Sequence, residues 1–377
     1  MKKINLRDFP TALDRRAFLE KQLNLRLDNI SNFSFTEKEV SGRNIENLVG
    51  ATQIPLGVAG PLRISGKGYF IPLATTEGAL VASISRGCKA INESGGAKVA
   101  IETVGITRGP VFKTQGIEHS LKVKSWIKEN FKLLSLKCSS ISSHLKLLKA
   151  ETSPVGKNLF IRFYFDSSDA MGMNMATIAT SEIVKIIETK TKARCVSVAG
   201  NFDIDKKPAW LNFISGRGKR VWAEVTLKNQ IVKEVLKTTP QKLTEVVYRK
   251  NYLGSIMSGS IGFNAHFANI IAAVFLATGQ DPAHVVEGSL GVTTAEVTGN
   301  GDLYFSIYLP SLVIGTVGGG THLPTQKEAL KIMQITSVLE YAQVLGAAVL
   351  AGELSLIASL SEGSLALAHK KLGRKGK

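Results

Sequence analysis

The chain has 377 residues, of which 44% are hydrophobic and 20% charged, and its formal net charge is +17. This length is enough for two or three domains with a sizeable core, and no apolar run approaches the roughly 20 residues of a membrane span. The lysines are scattered and lack interleaved aromatic residues, so the charge favours attraction to small polyanions over nucleic-acid binding.

The cysteines and histidines bear on compartment and metal content. Cys88, Cys138 and Cys195 show no metal spacing, and the six histidines show no i, i+4 pairing with carboxylates. We therefore expect a soluble protein of the reducing cytoplasm, with no disulfide framework, no metal and no membrane anchor.

The N-terminal part of the chain begins with residues 1–45, whose pattern predicts short helices forming an appended arm. An apolar but irregular stretch follows, from ENLVG (46–50) to residue 61. Its closely spaced glycines and prolines exclude a plain helix or central strand. Such a segment packs against something, with a partner subunit as one candidate.

A helix is predicted after Thr75 and Thr76, which are good N-caps. Glu77 would then lie on the apolar face of that helix, where desolvation suits a proton donor near neutral pH. The alternative is a first-turn glutamate that compensates the helix dipole. Arg86 lies near the far end of the same helix and is either a phosphate ligand or a solvated cation.

Residues 110–199 carry their own pattern of elements. The predicted order is strand Val111–Thr114, helix Glu118–Leu133, strands Ser143–Glu151 and Asn158–Asp166 joined by a turn at 154–156, helix Ala170–Lys190 and strand Arg194–Ala199. This β-α-β-β-α-β order is the split βαβ, or ferredoxin-like, unit. The flanking segments do not complete it, which indicates an insertion into a larger domain.

The stretch from Cys195 to Asn212 leaves that last strand and carries Asp205, Lys206 and Lys207 into Pro208. Proline restricts its own backbone and the residue before it. A lysine held this way could stabilise a developing oxyanion if water is excluded. The alternative is a surface turn with solvated lysines.

The remainder contains a strongly apolar helix, about Phe263–Thr278, which should be buried centrally. Asp281 before Pro282 has the pattern of an N-cap. Two strands, Gly291–Val297 and Leu303–Leu309, precede two closing helices, Gln326–Glu340 and about 346–371. His369 lies near the end of the last helix, where it could interact with the terminal carbonyls.

Two glycine-containing loops could bind an anion, although the chain has no Walker A or G-x-G-x-x-G motif. DAMGMNM (169–175) precedes a helix N-terminus, and GTVGGGT (315–321) offers a backbone that can approach a phosphate closely. For either loop taken alone, a tight turn is the favoured interpretation.

Taken together, these motifs resemble one family. ATTEGALVAS, ITRGP, DAMGMNM, the AGN-to-DKKPAWLN loop, GSIGFNAHFAN, GTVGGGT and LAGELSL occur in the order and spacing of 3-hydroxy-3-methylglutaryl-coenzyme A reductases. The resemblance covers about residues 46–371, and it implies reduction of a thioester to mevalonate with two NADPH.

The resemblance also implies residue roles. Lys206 would stabilise the oxyanion, Glu77 would protonate the aldehyde oxygen, Asp281 would tune that pair, and His369 would protonate the departing thiolate. Substrate positions would be Arg108, Asp205, Lys207, Lys250 and Asn269, with Arg86 as a further candidate. Cofactor positions would be Asp169, Met171, Gly172, Met173, Asn174, Gly318 and Gly319.

The implied fold is α+β. A helical arm (1–45) precedes a large catalytic domain (46–109 and 200–377) built round a central helix, with an inserted ferredoxin-like NADP-binding domain (110–199). Two subunits would complete each active site in a homodimer or homotetramer. Ala199 stands where many members have a substrate-contacting serine, which puts that hydrogen bond in doubt.

Two other functions remain open on the sequence. One is the reverse, NAD-dependent oxidation of mevalonate, and the other is a non-catalytic polyanion-binding protein.

Overall fold

The computed structural model of this chain describes residues 6–363, and His369 lies outside that range. The described part is a mixed architecture of helices and sheets, as expected. Buried apolar side chains form two large clusters, one around the C-terminal helix and one among residues 106–198.

The strands are β1 Leu56–Ile64, β2 Lys67–Ala74, β3 Lys98–Arg108, β4 Val111–Lys113, β5 Lys146–Val155, β6 Asn158–Asp166, β7 Arg194–Ser197, β8 Gly218–Leu227, β9 Gly262–Phe263, β10 Gly291–Val297 and β11 Leu303–Leu312.

The α-helices are α1 Ala12–Leu23, α2 Glu37–Val40, α3 Leu80–Glu93, α4 Ile117–Glu129, α5 Phe131–Ile141, α6 Met173–Thr191, α7 Trp210–Ser215, α8 Asn229–Glu234, α9 Pro240–Val246, α10 Ser255–Ser258, α11 Phe267–Thr278, α12 Val285–Gly288, α13 Pro324–Met333 and α14 Val338–Ser361. A π-helical stretch, Val247–Gly254, joins α9 to α10.

Nine strands form one sheet in the order β7-β4-β6-β3-β8-β11-β10-β9, with β5 paired to β6. Strand β3 connects its two halves. Residues Lys98–Gly105 pair with β8, whereas Ile106–Arg108 pair with β6. The site residues described below lie near this change of partner.

Helix α14 is the centre of the larger core. It packs against α3 and α11, and Gly87 on α3 approaches it so closely that a Cβ there would collide with the Ala351 backbone. By length and composition α14 could cross a membrane, which the sequence analysis missed, but 78% of its apolar window is buried inside the molecule. That burial is what a core helix shows.

The apolar stretch before residue 61 forms the first strand of the two-stranded hairpin β1–β2. The expectation that it is no central strand is confirmed, because β1 and β2 form a two-stranded sheet, with a register shift between Ala59 and Leu62. Leu48 is buried among arm residues, and Arg15 and Arg16 donate to the Leu48 and Val49 carbonyls. The ENLVG segment therefore packs against the arm within this chain.

Several element boundaries differ from expectation. The predicted helix Glu118–Leu133 breaks at Asn130, and a second helix, α5, follows. Pro154 lies within β5, paired with Leu159, rather than in a turn. Strand β5 pairs only with β6 in the described sheet, and such an edge strand tolerates a residue without an N–H. The last two helices divide at Gln334, which is left-handed at φ 53°.

Candidate active site

Lys206 lies in the loop of residues 198–209 between β7 and α7, here called the lysine loop. Its backbone is left-handed, with φ 55°, a conformation that persists in a residue with a Cβ only where the surroundings hold it. Lys206 Nζ lies 2.7 Å from Asp281 Oδ2, and the two side chains are 40% and 31% exposed. One carboxylate thus holds an ammonium that is still accessible to a ligand.

Asp281 is also the N-cap of the 3₁₀ turn Pro282–His284, since its Oδ1 accepts from the Ala283 amide at 3.0 Å. Burial pushes the pKa of Asp281 upward, but the hydrogen bonds from Lys206 and Ala283 outweigh burial and lower this pKa below its usual value. Asp281 therefore remains a carboxylate at neutral pH and serves both as a cap and as the partner of Lys206.

Arg217 supports the lysine loop from the interior, with its side chain fully buried. Its Nη2 lies 2.9 Å from Asp205 Oδ1, its Nη1 contacts Glu287 Oε1, and its Nε donates to Thr107 Oγ1 at 2.8 Å. Glu287 Oε1 also accepts from the backbone N of Lys206 at 3.3 Å. Removing one partner of such a buried pair leaves an uncompensated charge, so the loop and its support are coupled.

The sequence analysis missed Arg217, Glu287 and the neighbouring His284. Arg217 and Glu287 are 70 residues apart, and such a pairing leaves no local pattern. The available signal was the pair of glycines that flank Arg217, both with positive φ, because a charged residue between two such glycines marks an unusual backbone.

Asp205, His284 and Glu287 have ligand atoms within 4.8 Å of one another, a grouping that could hold a metal ion. However, the Arg217 guanidinium already contacts both carboxylates. A cation therefore occupies the position that a metal would take, and the cluster is a charge network within the protein.

A second buried arginine supports the same loop from the other side. Arg162 is fully buried and donates through Nη2 to Asn212 Oδ1 at 2.9 Å and to the Gly216 carbonyl at 3.0 Å. Asn212 in turn donates to the Ile204 carbonyl at 2.9 Å. Both ends of the lysine loop are thus tied to buried groups, as its flanking apolar residues indicated.

Arg108 links the lysine loop to α6. Its Nη1 lies 3.1 Å from the carboxylate of Asp203, which is 1% exposed, and its Nη2 donates to Thr177 Oγ1 at 2.7 Å. Thr177 lies in the second turn of α6. The predicted substrate position Arg108 is therefore placed between the lysine loop and a predicted cofactor loop.

Glu77 is not where the sequence analysis expected it. Helix α3 begins at Leu80 after Ala79, which is left-handed at φ 78°, and Thr75 Oγ1 accepts from the Glu77 amide instead of capping the helix. Glu77 is exposed in this turn, residues 75–79, here called the glutamate turn. Both the apolar-face and the first-turn interpretations were wrong, because the chain turns at Gly78-Ala79 before the helix starts.

Within the described residues, the carboxylate that pairs with Lys206 is that of Asp281. The structure thus unites two of the four predicted catalytic residues. Glu77 contributes no ion pair to this group within residues 6–363, and His369 lies outside them.

A cleft of about 720 Å³ opens beside the lysine loop. It is lined by Pro208 from that loop, by residues 259–262, 264–266, 268 and 269, and by Val286, Ser289 and Leu290. The predicted substrate residue Asn269 lines this cleft, whereas Lys207 and Lys250 are exposed outside the lining.

Glu353 fixes one wall of this cleft. Its fully buried carboxylate accepts from the amides of Ala265 at 2.5 Å and His266 at 3.1 Å, and from Thr293 Oγ1 at 2.7 Å. A buried carboxylate with several donors is satisfied without a cation. These hydrogen bonds fix the backbone of the cleft wall at Ala265 and His266.

The two predicted anion-binding loops lie against each other. The Asp169 carbonyl accepts from the Thr316 amide at 2.8 Å, and the Asp169 carboxylate accepts from the Val338 amide at 2.7 Å. A Cβ at Gly315 would collide with the Met171 amide, so only glycine permits this approach.

The remaining predicted cofactor residues lie on these two loops. Gly172 is the left-handed N-cap of α6, and Met173 begins that helix. Arg217 Nη2 lies 3.1 Å from the Met173 sulfur, and Asn174 is exposed. Gly318 and Gly319 are exposed with positive φ. Exposed backbone of this kind beside a helix N-terminus suits a phosphate.

Arg86 instead pins α3 to α14. Its Nε donates to Ser355 Oγ at 3.0 Å and its Nη2 to Ser359 Oγ at 2.5 Å. Burial lowers the pKa of Arg86. These contacts favour a packing role for Arg86 over the predicted phosphate contact and over the solvated alternative.

Comparison with known proteins gives consistent matches over nearly the whole chain. The hydroxymethylglutaryl-coenzyme A reductase family model matches residues 11–374. The 3-hydroxy-3-methylglutaryl-coenzyme A reductase of Methanocaldococcus jannaschii is 51% identical over 373 residues, covering 96% of this chain and 92% of that protein. Its counterpart from Pyrococcus abyssi is 50% identical over 374 residues, with the same two coverages.

The fold is similar to a solved structure described as the class II 3-hydroxy-3-methylglutaryl-CoA reductase from Streptococcus pneumoniae bound to NADPH in open conformations. The TM-score is 0.71 at 17% sequence identity, over 95% of this chain and 100% of that one. At this identity the likeness concerns the fold.

Proposed function

The chain belongs to the hydroxymethylglutaryl-coenzyme A reductase family, and on that premise we propose that it reduces 3-hydroxy-3-methylglutaryl-CoA to mevalonate and free CoA with two NADPH. This reaction commits carbon to the mevalonate pathway of isoprenoid synthesis. The site must bind an acyl-CoA, stabilise an oxyanion twice and deliver protons to oxygen and sulfur.

The Lys206–Asp281 pair carries this proposal. Pro208 lines the cleft, and two residues earlier in the same loop the Lys206 ammonium is held at 2.7 Å by Asp281 and remains partly exposed. A thioester carbonyl placed there would develop negative charge beside a fixed cation, which is the arrangement that stabilises an oxyanion. The buried network around Arg217 keeps that cation from moving as the charge develops.

The substrate is proposed to lie in the 720 Å³ cleft, with Asn269 on its wall. Arg108 and Asp205 support the lysine loop from within, and the exposed cations Lys207 and Lys250 are available to substrate carboxylate or phosphate groups. Ala199 is exposed and offers no side-chain hydroxyl for substrate.

NADPH is proposed to bind over the adjoining loops 169–174 and 315–319. The residues fit it, because exposed left-handed glycines and the α6 N-terminus supply free N–H groups for a pyrophosphate. The bound cofactor supplies the hydrides. The chain's own part is to orient it next to Lys206, and Met173 contacts Arg217 at this junction.

Glu77 and His369 are proposed as the proton donors to oxygen and sulfur respectively. Glu77 is exposed in the glutamate turn, which supports an arrangement in which it completes a site across a subunit boundary. Exposed apolar side chains near both regions support the same homo-oligomer. They include Val58 and Phe70 on the hairpin, and Trp210 and Ile214 on α7, which follows the lysine loop.

The finer domain architecture is also a proposal: a helical arm (1–45), a large domain (46–109 and 200–377) and an inserted ferredoxin-like domain (110–199). Strands β7-β4-β6-β5 form an antiparallel order, which supports that assignment, as do the two separate cores. The three free cysteines, two of them buried, support a cytoplasmic location.

The test is an absorbance assay of NADPH with 3-hydroxy-3-methylglutaryl-CoA, repeated with NADH. Loss of NADPH absorbance in proportion to mevalonate formed is the expected result. A strong preference for NADH would instead favour mevalonate oxidation. Salt-sensitive RNA binding without cofactor oxidation would favour a non-catalytic role.

A further inference from the structure

His284 is a buried histidine that the proposed reaction leaves unused. It lies in the 3₁₀ turn that Asp281 caps, and it is fully buried. Its Nδ1 lies 2.9 Å from Glu287 Oε1. Its Nε2 lies 3.9 Å from Asp281 Oδ2, the same oxygen that contacts Lys206 Nζ.

The protonation of this ring follows from its partners. Glu287 Oε1 accepts hydrogen bonds from Arg217 and from the Lys206 amide, so it acts as a carboxylate. His284 Nδ1 therefore carries the hydrogen donated to Glu287. Nε2 is buried without a hydrogen-bond partner in residues 6–363, and in a neutral ring its lone pair faces the Asp281 carboxylate.

The charges around His284 leave room for one more proton. Asp281 and Glu287 face it from its own segment, Asp205 and Lys206 from the lysine loop, and Arg217 from the residue before β8. Three carboxylates and two cations sum to one negative charge. A proton on Nε2 would neutralise the group and turn the 3.9 Å approach into a hydrogen bond after a small movement.

Resting on the function proposed above, we propose that His284 is a positioning residue that orients Asp281 and, through Asp281, the Lys206 ammonium. A proton on its Nε2 determines how strongly the Asp281 carboxylate interacts with the Lys206 ammonium. With Nε2 protonated, the Asp281 carboxylate interacts with two cations. Its interaction with Lys206 is then weaker, and the ammonium interacts more strongly with the substrate oxyanion. Turnover should therefore rise as His284 becomes protonated.

The test is the pH profile of kcat for the full-length enzyme and three variants, with fold checked by urea unfolding. His284→Gln keeps a hydrogen-bonding group but cannot change charge. His284→Leu removes the hydrogen bond to Glu287 and the polar Nε2 at similar volume. His119→Gln is the matched control, because His119 is half-buried on α4 and its ring is hydrogen-bonded to the Gln115 amide and the Thr191 carbonyl, neither of which belongs to the lysine loop.

We expect His284→Gln to lack the part of the profile that the wild type and His119→Gln share between about pH 5 and 8. We expect His284→Leu to lose roughly 10- to 100-fold in kcat with KM little changed, as for loss of a hydrogen bond to a charged group. If His284→Leu does not fold, the His284→Gln profile decides alone.

A His284→Gln profile that superimposes on the wild-type profile would overturn this inference, as would a folded His284→Leu variant with wild-type kcat. Both results leave the proposed function standing. A wild-type enzyme that does not oxidise NADPH with 3-hydroxy-3-methylglutaryl-CoA overturns the proposed function instead.

Discussion

The lysine loop and the glutamate turn are proposed to serve one reaction, yet this chain holds them in opposite ways. The lysine loop is tied to two fully buried arginines, Arg162 and Arg217, and its left-handed Lys206 is held at both its backbone and its ammonium. The glutamate turn is exposed, and Glu77 is placed by one local hydrogen bond from its own amide.

This difference matches the different requirements of the two proposed roles. A cation that stabilises an oxyanion must be in place before charge develops, so its support is built into the core of the same chain. A proton donor need only arrive with the correct geometry, and an exposed turn can be completed by a second copy of the chain. The following predictions test the two halves of this comparison.

The largest expected effect is on the support of the lysine loop. Arg217→Met would leave Asp205 and Glu287 without their shared cation, and removal of one buried partner costs about 3–5 kcal/mol of unfolding free energy. The loss of unfolding free energy is measured by urea unfolding. The matched control is Arg249→Met, whose ion pair with Glu245 is exposed and should cost less than about 1 kcal/mol. Equal costs for the two variants would contradict a buried network.

Next comes the cation itself. Lys206→Ala should lower kcat by roughly 10²- to 10³-fold or more, as for loss of one group that stabilises an oxyanion, while the fold is retained because the side chain is partly exposed. Lys237→Ala is the matched control, since Lys237 is also exposed and left-handed, at φ 61°. Near-normal turnover of the Lys206 variant would remove the basis of the proposed chemistry.

A smaller effect concerns β2, which leads into the glutamate turn. Its Lys67 contacts Glu340 at 2.7 Å. Burial alone would raise the pKa of Glu340. Hydrogen bonds from Lys67, Tyr69 and Thr336 outweigh burial and lower this pKa from 4.5 to about 2. Glu340 therefore loses its proton more readily in the folded state than in the unfolded chain. Its ionised form stabilises the fold above about pH 4.5, and this stabilisation is lost as the pH falls toward 2.

Urea midpoints measured from pH 6 to about 2 should therefore fall less for Glu340→Gln than for the wild type. Glu328→Gln, an exposed residue of α13, serves as the control and should follow the wild type. Parallel curves for all three proteins would show that the Glu340 contacts do not stabilise the fold.

The smallest effect is on the glutamate turn. Glu77→Gln should change the unfolding free energy by less than about 0.5 kcal/mol, because an exposed side chain without buried partners contributes little. A loss comparable with that of Arg217→Met would mean that Glu77 is packed within its own chain after all.

The sequence predicted the strands and the cap whose conformation depends on neighbouring residues in the chain. Strands Asn158–Asp166 and Gly291–Val297 were predicted to the residue, since alternation or β-branched runs ended at clear turns. The Asp281 cap also followed from its place before Pro282. By contrast, the start of α3 was missed because Ala79, not a threonine, adopts the left-handed turn.

The buried network could not be predicted in the same way. Arg162, Arg217 and Glu287 are charged residues in the interior, and hydrophobic periodicity places charged residues at the surface. Arg162 lies 50 residues from Asn212, and Arg217 lies 70 residues from Glu287. The sequence therefore indicated which loop carries the cation, whereas the groups that hold this loop are visible only in the fold.

Lys206 of one chain is proposed to act together with Glu77 of another, and mixing two variants that each lack one of these groups is the sharpest test of that arrangement. Lys206→Ala and Glu77→Gln would be unfolded together, refolded as a mixture and assayed for NADPH oxidation, with hetero-oligomers verified by distinct affinity tags. Random pairing into dimers restores about a quarter of the sites if each site needs both chains, so we expect about a quarter of wild-type activity. Verified hetero-oligomers with no recovered activity would contradict the account.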